Sequence, residues 1–319
     1  MKLESRFDSK QCVGAHRVAE AFRQWLMPVC AAALLAACGE SHRASYEPEY
    51  AATPPQTLPE YSFGIHPQRN PEKLHEVFGP FIDYLNGEIP DVRFVFEASR
   101  NYDVFDQKIA MRQFAFVLPN PYETLLAIDK GYRVFAKMGN DDDLRGLIVA
   151  RRDSGIDSVD DLKGKAVSFP APTALAATMM TQYFLQVRGL DVRRDIEARY
   201  VGSMESSLLN IQRRNVAAGT AYPPAWRMFN RQRPELAREL HVLWQTEALP
   251  NNSLMARDDV PPDLVDRVRR TLLAMASSEP GRKVLAGMDL PRFEAATDST
   301  YDPVRVFVHK YRETFGPHQ

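Results

Sequence analysis

From Tyr61 onward, apolar positions switch repeatedly between a two-residue period and a helical one, which predicts strands alternating with helices. Tyr61–Ile65 alternates as a short strand, and His66-Pro67 ends it, since the residue before a proline is held extended. Pro71 opens a helix with Leu74, Phe78, Phe81, Ile82 and Leu85 on one face, and Pro80 is expected to kink it. Arg93–Phe96 reads as a second strand and Asp103–Met111 as a short helix. Phe114–Leu118 is apolar at every position, the character of a strand buried on both faces of a parallel sheet. A helix over Tyr122–Lys130 stops at Gly131, in the position of a glycine C-cap. Strand and helix at this spacing predict a βαβ lobe.

The pattern restarts at Leu147–Ala150, a strand, followed by a short helix at Ser158–Leu162 and a strand at Ala166–Phe169. Thr173–Arg188 is a strongly apolar helix closed by Gly189. A strand at Glu197–Val201 and a helix at Glu205–Arg213 come next. After the strand Leu240–Trp244 the chain passes Pro250 into the strand Ser253–Ala256, then two helices, Pro262–Ala276 and Pro280–Ala286. No sequence repeat of fixed period joins the two halves, so they are alike in architecture only.

The segment before Tyr61 carries no core pattern. An apolar run from near Trp25 ends in Leu35-Ala36-Ala37-Cys38, the form of a lipobox. Lys2, Arg6, Lys10, Arg17 and Arg23 outweigh Glu4, Asp8 and Glu20 upstream of it, as the n-region of a secretory signal does. Residues 1–37 therefore read as a lipoprotein signal peptide, with Cys38 as the lipid attachment site, and residues 38–60, rich in Pro, Ser and Ala, as a flexible tether. The remainder is long enough for two lobes. With 40 Lys and Arg against 41 Asp and Glu, the chain lacks the concentrated basic surface that nucleic acid requires. Its three cysteines all precede residue 39, so the folded part excludes disulfides and thiolate metal sites.

Signals for catalysis are absent. His75-Glu76 has no second histidine at helical spacing, Gly164-Lys165 lacks the upstream glycine of a P-loop, and no Gly-x-Ser-x-Gly elbow occurs. Asp141-Asp142-Asp143 reads as a solvated loop and not a metal site. The chain is expected to be no enzyme and to need no cofactor or metal.

Gly64-Ile65-His66-Pro67 followed by Pro71-Glu72-Lys73-Leu74 resembles the phosphate, phosphite and phosphonate substrate-binding proteins of bacterial ABC transporters. The resemblance continues through Pro119-Asn120-Pro121-Tyr122, Asp161-Leu162-Lys163-Gly164-Lys165, Gly202-Ser203-Met204-Glu205 and Thr297–Val304, nearly the whole folded region. It implies an α/β fold of the type 2 periplasmic-binding class: two lobes with parallel-rich sheets flanked by helices, and ligand held in the cleft between them. Lobe one would comprise 61–148 and 250–319, lobe two 149–249, with crossovers near Ala150 and Trp244. A small oxyanion would be captured for an ABC permease of the inner membrane by a monomer anchored in the cell envelope through its lipid. The alternative is a sensory lipoprotein passing a ligand signal to a membrane kinase.

Helix starts converge on such a cleft and carry unpaired N–H groups and partial positive charge, so an oxyanion needs no lysine there. His66, at the end of a strand, either donates to the anion or caps the turn before Pro67. The resemblance places Tyr102 and Tyr122 at the pocket lining, where either phenol would bind or merely pack. Asn120 would present its amide to the ligand or bond its own backbone. Thr173 and Ala174 open the long helix where the family has a turn rich in serine and threonine; Thr173 is expected as its N-cap. Ser203 and Glu205 begin another helix, and Tyr222 follows the sheet of lobe two. The resemblance places Phe114 and the stretch Asn215-Val216-Ala217-Ala218-Gly219 where relatives carry acidic positions, which leaves the expectation of more room for an organic group.

Overall fold

The structure, a computed structural model, describes residues 57–69 and 71–316. The lipobox, Cys38 and the tether up to residue 56 lie outside the described residues.

Two mixed sheets organise the chain, each flanked by helices. The first contains β1 (Glu60–Ile65), β2 (Arg93–Glu97), β3 (Phe116–Leu118), β4 (Tyr132–Met138), β10 (Ser253–Arg257) and β11 (Phe293–Ala295), in the order β11-β4-β10-β3-β1-β2. The second contains β5 (Leu147–Arg151), β6 (Ala166–Phe169), β7 (Glu197–Tyr200), β8 (Ala218–Ala221) and β9 (Leu240–Gln245), in the order β7-β6-β8-β5-β9. The expectation of parallel-rich sheets holds only for three strands in each: β2-β1-β3 in the first and β7-β6-β8 in the second. The other pairings are antiparallel, because the chain adds β4, β10 and β11 to one sheet and β5 and β9 to the other around its passages between them. Phe116–Leu118 thus has a parallel neighbour on one side and an antiparallel one on the other.

The chain leaves the first sheet through 139–146 and returns through 246–252. Ala150 and Trp244 themselves sit within β5 and β9. The two passages bond to each other: the Gly146 N–H donates to Thr246 Oγ1 (2.9 Å) and the Thr246 N–H donates to Gly146 O (3.0 Å).

The apolar face anticipated for α1 (Pro71–Glu88) is buried, and the helix runs continuously through Pro80. Phe63 stacks on Phe116 and meets Phe81 edge-on, with ring centroids 5.8 and 5.4 Å apart. Burying each such ring contributes roughly 2–3 kcal/mol. Asn86 of α1 bonds both the N–H and the carbonyl of Phe94, which fixes the edge strand β2 to the helix. A second apolar cluster runs from Phe105 and Phe114 beside the first sheet to Phe169, Leu175 and Leu185 beside the second. Phe114 belongs to this core, against Phe105, and not to the cleft where an acidic residue was expected to be replaced.

Helices follow on the strands: α2 (Tyr102–Ala110), α3 (Pro121–Ile128), α4 (Thr181–Gln186), α5 (Met204–Gln212), α6 (Pro223–Gln232), α7 (Pro234–Arg238), α8 (Pro262–Ala274), α9 (Glu279–Gly287) and α10 (Asp302–Phe315). Gly189 ends the α4 segment as expected: at φ +93° it lets its own N–H reach Gln186 O and the Leu190 N–H reach Leu185 O.

Candidate functional site

After β6 the chain turns at Pro170 and does not enter the helix at Thr173, as the sequence reading had it. The Ala174 N–H closes a turn onto Ala171 O (3.2 Å), and Ala174 takes the N-cap position with no side-chain bond. A wide π turn, Leu175–Met180, leads into α4, with the N–H groups of Thr178 and Met179 both donating to Ala174 O. The first N–H groups of this helix, on Leu175 and Ala176, have no intrahelical acceptor. Thr173 Oγ1 is buried without a partner, while its carbonyl faces the other lobe.

The first sheet delivers His66 and Asn120 to the same place. His66 follows β1, and its N–H donates to Leu118 O (3.0 Å), which carries the β1–β3 ladder one residue further. Its ring Nδ1 lies 3.3 Å from the same carbonyl. A carbonyl can only accept, so Nδ1 holds the proton and Nε2 keeps its lone pair. Burial pushes the His66 pKa down to about 4, which keeps the ring neutral. In this tautomer His66, read either as a donor to an anion or as a cap of the turn before Pro67, presents an acceptor at Nε2.

Asn120 serves the helix start and the cleft together. Its Oδ1 accepts from the N–H groups of Tyr122 (2.8 Å) and Glu123 (3.1 Å), and Glu123 Oε2 accepts from the Asn120 N–H (2.8 Å), a capping box at α3. Its Nδ2 donates to Thr173 O (3.1 Å), a bond from one lobe to the other. Tyr222, before α6, makes a second such bond by donating to Gln68 Oε1. Burial raises the pKa of Tyr102, and that of Tyr222 to about 12, so both phenols stay protonated donors.

His66, Tyr102, Asn120, Ala174 and Tyr222 thus converge around one cavity of about 10 Å³, enough for roughly one water. The room expected for an organic group is absent, because the lobes meet here and Met204, Leu144 and Leu175 fill the gap. Asn252, just before β10, completes the lining; its Oδ1 is buried with no hydrogen-bond partner, while its Nδ2 lies against Met138 Sδ (3.5 Å). A larger cavity of about 370 Å³ lies apart, between Tyr183, Phe184 and Phe307, and is mainly apolar.

Four expected residues lie outside the cleft cavity. Thr173 stands beside it through its carbonyl. Tyr122 is buried in the core cluster. Ser203 is the N-cap of α5, accepting from the Ser206 N–H (3.1 Å), and Glu205 pairs with Arg233 (3.0 Å). The sequence reading also passed over the bridge from Arg227 of α6 to Asp143 and Asp289. Asp143 is buried and bonded, so the aspartate run is not a solvated loop throughout: Asp141, though exposed, accepts from Lys137 and from the Asn251 N–H, and Asp142 is the most exposed of the three. Asp106 and Glu123 form a buried carboxyl pair; burial raises both pKa values, and the Asp106 charge raises that of Glu123 further, so the pair retains a proton.

Comparison with known proteins places this geometry. Residues 63–301 match the family described as ABC transporter, phosphonate, periplasmic substrate-binding protein. A binding component of an ABC phosphonate transporter from Pseudomonas aeruginosa has the same fold (TM-score 0.72, 19% identity, covering 81% of this chain and 88% of that one). So does PhnD1 from Prochlorococcus marinus, solved with methylphosphonate (TM-score 0.74, 17% identity, 80% and 98% covered). A Xanthomonas citri protein solved with ATP is also similar (TM-score 0.63, 17% identity, 80% and 99% covered).

Proposed function

Because the chain belongs to the periplasmic substrate-binding proteins of phosphonate ABC transporters, a transport family and not an enzyme family, we propose that it is a lipid-anchored receptor for a small phosphorus oxyanion. Cys38 carries the anchor, residues 39–60 tether the body, and the loaded monomer docks on an inner-membrane ABC permease. Lobe one is read as 61–148 with 250–319, and lobe two as 149–249.

One observation carries this reading. The open helix start at Ala174–Ala176 faces His66, Tyr102 and Asn120 across an interlobe cavity that Tyr222 of its own lobe also lines, with no carboxylate in the lining. The backbone N–H groups and the Tyr102 phenol supply donors for oxyanion oxygens, while Tyr222 gives its hydrogen to Gln68, and the buried setting strengthens each bond. A cavity this tight admits a ligand only when the lobes part, breaking the Asn120–Thr173 and Tyr222–Gln68 bonds, and then close on it less fully.

The reading is tested by thermal shift of the purified protein against methylphosphonate, phosphite, phosphate and sulfonates. A true ligand at a hundred times its Kd adds about 2.7 kcal/mol of stability. No shift with any phosphorus oxyanion refutes it. Replacing Cys38 with serine tests the anchor: the variant is expected in the soluble fraction, and retention in membranes counts against lipidation.

A further inference from the structure

We propose that the protein carries a second ligand site, beside the passages between its lobes, for a free amphipathic anion: one short alkyl chain ending in a carboxylate. The site does not depend on the receptor reading, and its lining shares no residue with the cleft cavity.

Three segments build it. Tyr183, Phe184 and Val187 come from α4 and its end, Leu249 from the passage that returns to the first sheet, and Val306 and Phe307 from α10. Tyr183 meets Phe307 edge-on, with ring centroids 5.7 Å apart, which joins α4 to α10. The apolar space between these segments is about 370 Å³, within the size range of small-ligand sites. Val187 and Val306 line it from different lobes, and each is 56% exposed. Single exposed valines are ordinary, but two on one cavity leave an apolar surface that a guest would cover.

The same lining supplies charge. The Arg188 guanidinium lies 3.4 Å from the centre of the Phe184 ring and gives one N–H to Phe184 O (3.3 Å), so the rest of its donor fork is uncommitted. Lys310, three residues beyond Phe307 on α10, brings a second cation. Among the described residues neither is ion-paired, and Glu247, the one carboxylate in the lining, pairs with neither. An apolar body therefore finds aromatic walls, and its head group finds two cations against one carboxylate. A cationic head would be repelled, and a neutral one would leave that excess unused. The volume suits one short chain and excludes the paired long chains of a membrane lipid, so the occupant is a free, water-soluble anion.

Calorimetric titration of the full chain carrying Cys38→Ser needs no detergent that would compete for an apolar site. Decanoate is the probe, with 1-decanol and decyltrimethylammonium as its neutral and cationic counterparts. Decanoate should bind, decanol about 5-fold more weakly, and the ammonium more weakly still. Octanoate should bind roughly 10–20-fold more weakly than decanoate, since each buried methylene contributes about fourfold. Val306→Trp, at a position already open to solvent, fills the space and should lower decanoate affinity at least about 10-fold with the unfolding temperature unchanged. Val187→Trp makes the same test from the other lobe should the first variant fold poorly. Arg188→Gln combined with Lys310→Gln should bring decanoate down to the level of decanol and leave decanol unchanged. No binding of decanoate, or binding that neither tryptophan alters, overturns the site. Equal affinity for the three head groups, or no effect of removing both cations, overturns its assignment to an anion. None of these outcomes bears on methylphosphonate, which reads the cleft cavity alone.

Discussion

Arg227 grips Asp143 with both terminal nitrogens, at 2.7 and 2.8 Å, while its Nε reaches Asp289 at 2.7 Å. Arg227 lies on α6 beside the second sheet, Asp143 lies in the passage leaving the first sheet, and Asp289 follows α9. One guanidinium thus ties a helix of one lobe to two segments held by the other. The carboxylates are 9% and 14% exposed at the side chain, so neither is well solvated once its partner is gone.

Arg227→Ala is therefore expected to favour the open form. Arg231 still pairs with Asp289 (2.7 Å), so Asp143 carries most of the effect. Because the Arg227 side chain is 40% exposed, solvent screens part of the interaction, and the closed form should lose on the order of 1–2 kcal/mol. Small-angle scattering should report a larger radius of gyration for the variant. An unchanged radius would show that the bridge does not hold the lobes.

Asn120→Ser separates the two tasks of Asn120. A serine hydroxyl can still accept from the helix-start N–H groups, so α3 keeps its cap, but it cannot reach Thr173 O as the amide does. Stability of the unliganded protein should change by less than about 1 kcal/mol. Affinity for the ligand should fall several-fold, because the closed state loses one interlobe bond. Asn120→Ala removes both tasks, and a further loss of about 1 kcal/mol in thermal unfolding is expected.

The sequence revealed most of the strands that build the parallel core, because β1 and β3 bury successive residues and end at recognisable turns. It did not reveal Tyr132–Met138, where buried Phe135 and Lys137 interrupt the alternation of Tyr132, Val134, Ala136 and Met138. The helix Asp302–Phe315 was missed as well, although Val304, Val308, Tyr311 and Phe315 stand at helical spacing. The cleft was harder to read. His66, Tyr102, Asn120, Ala174 and Tyr222 were legible from turns, helix starts and resemblance. Asn252 stands in no periodic pattern, and its importance comes from a carbonyl oxygen left without a partner in three dimensions. Likewise Arg227 meets Asp143 across 84 positions, a pairing no local rule marks.

His66 gives a pH dependence of known sign. Its folded pKa of about 4 lies below the ordinary value of 6.5, chiefly because burial disfavours the charged ring. The unfolded chain takes up the proton first on acidification, so stability present above pH 6.5 is lost as pH falls toward 4. Between pH 7 and 4.5 this amounts to roughly 2–3 kcal/mol. The Asp106–Glu123 pair acts in the opposite direction: its raised pKa values favour the fold at acid pH, and that contribution is lost as pH rises through and above the ordinary carboxylate range. Comparing wild type with His66→Gln by urea unfolding at both pH values removes the contribution of the pair, which is common to both proteins. The stability difference between the two should shrink by that amount at pH 4.5. A constant difference would place the histidine in solvent.

Gly146 lies where the two passages between the sheets touch the helix that lines the cleft. A Cβ there would fall 2.4 Å from Ala176 O and 2.4 Å from Thr181 Cγ2. The Ala176 carbonyl belongs to the π turn and cannot move aside without shifting the Leu175 and Ala176 N–H groups proposed to meet the ligand. Gly146→Ala is accordingly expected to cost about 1–3 kcal/mol through overpacking. It should also weaken ligand binding more than its loss of stability alone would predict, since the strain is delivered to the donor side of the cavity. Thermal unfolding and calorimetric titration on the same preparation decide between the two effects. A variant that loses stability but binds methylphosphonate as tightly as the wild type would show that the passages do not set the geometry of the helix start.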